Sequence, residues 1–231
     1  MKNTREIEGY VPVFQKTSYS IASAGGNIIS VIISMFISTY MTDSVGISAA
    51  AVGTMMFISR FLDLGTDFLV GSLVDKTRTK YGKARPWILA SVPMVFLFLI
   101  LFFSTPKSLS STGKLIYCCI VYLLINAVSF TVFVIPHTAL ISRMTLNALE
   151  RQKIASLAQI FNQGGAIAVV TLWVPLVAKV GYQWTACIFG AIGAVMISFA
   201  FFGTRETIDD TVDNTKEKIK KRFHLVKHFS I

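Results

Sequence analysis

Arg60, Asp63 and Asp67 stand in a segment that is otherwise apolar, RFLDLGTDFLVGSLVDKTRTKYGKARPW at 60–87. At about 100° per helical residue the two aspartates lie about 40° apart, and Arg60 falls within about 60° of both, so the three charges share one face. Carboxylates one turn apart repel each other. One guanidinium neutralises only one of them, which leaves a net negative site. Each charge costs about 2.5–3.5 kcal/mol in the middle of a bilayer on insertion scales, so an apolar helix keeps three only for pairing or for use. A small cation completes the site. A hard monovalent ion wants several oxygen ligands, which two carboxylates and a nearby hydroxyl offer. A proton serves as well, because like charges in a low dielectric raise the proton affinity of one carboxylate. The alternative is a buried Arg–Asp network that fixes helix packing, and it leaves the second aspartate without a partner.

The elements that must hold these charges are transmembrane helices. The chain has 231 residues, 53% of them apolar and 15% charged, outside the usual range of a soluble domain. Apolar runs recur at about 17–42, 47–74, 87–104, 115–142, 154–180 and 183–203, each near the ~20 residues a helix needs to cross ~30 Å of hydrocarbon. The expected fold is therefore an all-α integral membrane protein, a bundle of six transmembrane helices at 1–203 followed by a basic tail at 204–231. The net charge of +10 comes from placement, not from a nucleic-acid partner. Lys and Arg number three before the first run, five at 76–85, three at 143–153 and seven after 204, against three in the connections of the opposite side. By the positive-inside rule both termini are cytoplasmic, as an even number of spans requires. The first sixteen residues carry Lys2, Arg5, Glu6, Glu8 and Lys16 and show no cleavable signal. Cys118, Cys119 and Cys187 lie within apolar runs and suggest neither a disulfide framework nor a metal site.

Other polar residues are patterned. Ser20, Ser23, Asn27, Ser30 and Ser34 form one stripe along the first span, either a wet cavity wall or close helix packing through small residues. Ser156, Gln159 and Gln163 repeat the pattern on the fifth. His137, after Pro136, reads as a satisfied histidine at a helix bend, with a proton relay as the alternative. Pro136 and Pro175 read as kinks. In the tail, Ile219, Phe223 and Val226 share a face among basic residues, the pattern of a helix lying on an anionic lipid surface.

Gly71, Asp75, Lys76, Arg78, Lys80, Gly82, Lys83, Arg85, Pro86 and Trp87 together resemble the signature between spans 2 and 3 of the major facilitator superfamily. With the aspartate pair they are similar to the glycoside–pentoside–hexuronide cation symporters, of which the melibiose carrier is a member. YMTDSVG at 40–46 and IPH at 135–137 fit the same pattern, and the resemblance extends over spans 1 to 5. It implies the amino-terminal half of a carrier whose two halves hold sugar between them near the midplane, with a cation against helices 2 and 4. On that resemblance Asp63 and Asp67 are the principal cation ligands, and Thr66 and Thr131 take neighbouring polar positions. Gly71 admits a close helix neighbour. Asp75, Lys76, Arg78, Gly82 and Arg85 belong to a loop that gates the cytoplasmic opening. The melibiose carrier has an acid on helix 1, an acid on helix 4 and an Arg on helix 5 for sugar. This chain has Asn27, Val134 and Gln159 there, which points toward a different or acidic sugar, with Ser23 and Gln163 as further polar contacts.

No nucleophile with an associated base, no metal-spaced His or Cys cluster and no glycine-rich phosphate loop is present, so an enzyme is not expected. The expected function is sodium- or proton-coupled symport of a sugar or glycoside across the cell membrane, without a cofactor. The chain ends where a second half is expected to begin, so it reads as a truncated product, a fragment or one partner of a split carrier, and a homodimer is geometrically allowed. A non-transporting membrane interaction or regulatory protein, with a structural charged triad, is the competing expectation.

Overall fold

The computed structural model describes residues 9–106 and 108–207, which are helical almost throughout. The helices are α1 (Val13–Val45), α3 (Arg85–Phe103), α4 (Ser111–Met144) and α5 (Ala148–Gly203), each long and apolar enough to cross a membrane, and α2 (Ala49–Lys76). The basic pattern around Ile219, Phe223 and Val226 lies outside the described residues.

Local chemistry sets the ends. Ser48 accepts the Ala51 N–H at 3.4 Å at the start of α2, Ser110 accepts the Gly113 N–H at 3.2 Å at the start of α4, and Asn147 Oδ1 accepts from Leu149 at 3.0 Å and Glu150 at 3.4 Å at the start of α5. Each supplies an acceptor for backbone donors that have no intrahelical partner. Gly46 closes α1 with φ +79°, a left-handed conformation that glycine adopts at little cost. The stretch before that glycine, Tyr40–Val45, is π-helical.

α5 contains both of the runs expected at 154–180 and 183–203. Its 56 residues are two helices that follow one another at a kink with no polar loop between them. The interruption falls at Gly181, where φ 82° and ψ 167° leave the helical region. That matches the gap expected between 180 and 183, and the non-helical dihedrals lie there and not at Pro175. α2 does not reach the apolarity of the other four, since Arg60, Asp63 and Asp67 interrupt it.

The core gathers where α1 meets α5. Gly25 and Gly193 face each other: a Cβ on Gly25 would lie 2.8 Å from the Gly193 carbonyl oxygen and 2.7 Å from Met196 Cβ. Gly26 leaves room for the Phe133 ring of α4, which a Cβ there would enter. Farther along, Ile29, Ile32, Ile37, Phe102, Phe103 and Trp173 are buried together, with Trp173 stacked on Phe36 at 4.8 Å. α2 is held more lightly, and it presents Phe57, Phe61, Leu64 and Phe68 outward, Phe68 being 78% exposed.

Candidate cation and substrate site

The charged face of α2 is turned toward α4. Arg60 Nη1 lies 3.7 Å from Asp63 Oδ2, and the same oxygen accepts a hydrogen bond from Asn126 Nδ2 of α4 at 3.0 Å. One turn on, Asp67 Oδ1 accepts from Thr131 Oγ1 at 3.0 Å. Each aspartate therefore has one neutral donor from the facing helix. Asp63 Oδ1 is buried and has no hydrogen-bond partner among the described residues. Thr66 stands apart from this network, because its hydroxyl turns back to the Asp63 carbonyl at 2.9 Å and the Leu62 carbonyl at 3.2 Å. The arrangement is an anionic cluster, Asp63 half-buried and Asp67 exposed, with oxygen atoms contributed by two helices.

Sequence periodicity missed Asn126. It is the lone amide in the apolar run 115–142, and an unexplained polar side chain at membrane depth was the available signal.

The residues expected to meet sugar lie along α1 and α5. Ser23 and Asn27 are half-buried on α1, and Gln159 and Gln163 are exposed on α5. Asn27 Nδ2 donates to the Asn162 carbonyl at 2.7 Å, so its amide joins the two helices while its Oδ1 remains a polar atom of the same stripe. Asn162 Oδ1 beside it is buried and without a hydrogen-bond partner among the described residues. His137 is satisfied: its Nε2 lies 3.4 Å from the Tyr19 carbonyl oxygen and its ring stacks on Tyr19 at 4.2 Å.

At the far end of the bundle the loop 77–84 is tied down by the start of the chain's last described segment. Glu206 accepts N–H groups from Lys83 at 3.0 Å, Ala84 at 2.9 Å and Arg85 at 3.1 Å, placing a carboxylate on the first turn of α3, where helix dipole and free donors favour an anion. Gly82, at φ +103°, leaves space for it, since a Cβ there would run into the Glu206 carboxylate. Arg85 Nε donates to the Phe201 carbonyl at 3.0 Å, and its guanidinium sits 5.0 Å above the Phe201 ring. Asp75 pairs with Arg143 of α4 at 3.5 Å. Lys76 and Arg78 are exposed. Gly71, expected to admit a close helix neighbour, faces open space: a Cβ there would meet nothing within 4 Å among the described residues. Among the described residues, close helix approaches are made at Gly25, Gly26, Gly193 and Gly203 instead.

The sequence of residues 18–230 matches the model of the MFS/sugar transport protein family. The chain belongs to that family. It is 35% identical over 221 residues to the uncharacterized symporter YnaJ of Bacillus subtilis, covering 91% of this chain and 46% of that protein. It is 36% identical over 180 residues to the putative glycoside/cation symporter YagG of Escherichia coli, covering 74% and 39%. An isoprimeverose transporter of Lactiplantibacillus pentosus is 29% identical over 228 residues, 94% of this chain and 47% of that one. The chain spans about half the length of these curated relatives. As a family member with four apolar helices of spanning length among the described residues, it is a multi-pass membrane protein.

Proposed function

We propose that this chain forms the amino-terminal half of a cation-coupled carrier for a sugar or glycoside, with sodium or a proton bound between α2 and α4. The observation that carries the reading is the pair Asp63 and Asp67: two carboxylates, one guanidinium, and one neutral donor each from α4. Negative charge remains after the protein's own partners are counted, and a small cation offsets it. Thr66 lies close enough in sequence to contribute an oxygen after its hydroxyl rotates.

In this reading the chain crosses the membrane six times with both termini cytoplasmic, α5 crossing twice around Gly181. Sugar binds along the stripe of Ser23, Asn27, Gln159 and Gln163, with a second half-carrier or a second copy closing the cavity. An isoprimeverose transporter and a glycoside/cation symporter among the relatives support a glycosidic substrate. The stretch holding Gly71, Asp75 and Lys76 at the end of α2, Arg78 and Gly82 in the loop after it and Arg85 at the start of α3 controls the cytoplasmic opening by making and breaking contacts such as Asp75–Arg143.

The test is cation binding by the purified chain in detergent, followed by calorimetric titration with sodium or lithium chloride in a choline background. Wild type binds, and Asp63→Ala with Asp67→Ala does not. Uptake of a glycoside by this chain co-expressed with a partner half loses its sodium or proton dependence in the same variant. Unchanged titration in the double variant would leave the α2–α4 network as a packing device and end the coupling role.

A further inference from the structure

α4 is not a regular helix where it meets the aspartates. Leu124–Phe130 is a π-helical turn, with hydrogen bonds that skip five residues instead of four. Side chains follow the same spacing: Ser129 Oγ donates to the Leu124 carbonyl at 2.8 Å and Thr131 Oγ1 approaches the Asn126 carbonyl at 3.4 Å, both five residues back. In an ordinary helix residues 126 and 131 would point about 140° apart, and only one could face α2. The wide turn brings them to one side, so that Asn126 meets Asp63 and Thr131 meets Asp67, each at 3.0 Å.

We propose that Asn126, placed by this turn, is the residue that fits the aspartate pair to a sodium-sized ion instead of to a proton alone. The inference rests on the cation-site reading above. A proton needs one carboxylate oxygen, whereas a hard metal cation needs several oxygens at once. α2 supplies carboxylates, but its Thr66 hydroxyl is directed at its own main chain. The facing helix α4 supplies further neutral oxygens. Thr131 Oγ1 is one. Asn126 is the other: rotation of its amide replaces the N–H held against Asp63 Oδ2 by its Oδ1, a donor to the carboxylate without the ion and a ligand with it. Asn126 thereby holds Asp63 in place in the empty site and completes the oxygen set in the filled one.

The experiment compares sodium affinity and proton release on sodium addition for the purified full chain and its Asn126→Leu variant. Affinity for sodium should fall about 10- to 100-fold, the range seen when a supporting ligand partner is removed, while proton uptake on acidification persists. Asn126→Ser, which keeps an oxygen but not its reach, carries the same expectation if the leucine variant does not fold. Deletion of Val128, which removes the extra residue of the wide turn, should likewise weaken sodium more than protons. Sodium affinity within twofold of wild type in Asn126→Leu or Asn126→Ser overturns the inference while leaving the aspartate site standing. Absence of sodium binding by wild type overturns the reading beneath it as well.

Discussion

At the residue scale, ionic groups in this chain behave differently according to where they sit. Glu150, in the first turn of α5 before the apolar run, is 5% exposed. It lies 2.5 Å from Lys16 Nζ and 3.0 Å from Lys153 Nζ and accepts the Val11 N–H at 3.3 Å. Burial by itself disfavours its charged form, but hydrogen bonds from Lys16, Lys153 and the Val11 N–H outweigh burial and hold the carboxyl down at about 2, against an ordinary 4.5. A depressed carboxyl stabilises the fold fully above 4.5 and loses that contribution as pH falls toward 2. Thermal unfolding in detergent should therefore separate wild type from Glu150→Gln most at pH 6, with the gap closing as pH drops below 4.5. A gap independent of pH would show that charge at Glu150 is irrelevant. Glu150→Ala should cost about 3–5 kcal/mol, because it strands the Lys16 ammonium, whose side chain is 12% exposed. Asp63 and Asp67 differ in kind, for among the described residues Asp63 has a guanidinium and an amide and Asp67 a single hydroxyl.

At the element scale, α1 and α5 meet through absent side chains. Gly25→Leu should prevent the crossing, since even a methyl group would press into the Gly193 carbonyl and Met196, and overpacking of this kind costs about 1–3 kcal/mol before any larger rearrangement. Gly53→Ala is the contrast: nothing lies within 4 Å of its Cβ position, and alanine in a helix interior gains about 0.5–1 kcal/mol over glycine. Size-exclusion profiles and unfolding temperatures of the two variants should move in opposite directions, and equal loss in both would remove the crossing argument. Element type and the charged face of α2 were legible in the sequence because apolar run length and a 100° period record them. The meeting of Asn126 with Asp63 was not, because a π turn breaks the very period used to read faces. Glu206 was equally hidden: it is one carboxylate in a polar stretch, and only the fold brings it to the first turn of α3, more than a hundred residues away.

At the scale of the whole molecule, one end of the bundle collects the starts of α1, α3 and α5 with the ends of α2 and α4. There Lys16, Lys83, Arg85, Arg143 and Lys153 gather around Glu150, Glu206 and Asp75. The other end holds Tyr40, Phe103, Lys114, Gly181 and Trp184 around a cavity of about 380 Å³. In the proposed orientation, which follows the positive-inside rule, the first end is cytoplasmic and the Gly181 break is an external turn between two crossings. Side-specific labelling decides this. With Cys118, Cys119 and Cys187 replaced by alanine, Gln183→Cys should react with a membrane-impermeant maleimide in intact cells, and Lys80→Cys only in inverted vesicles. Labelling of both from one side would mean that α5 does not cross twice, and the parity linking the two termini would fail with it. A reversed pattern would instead keep six crossings and overturn the orientation, moving the loop around Asp75 and Arg85 outside, where Asp75–Arg143 would guard an external mouth.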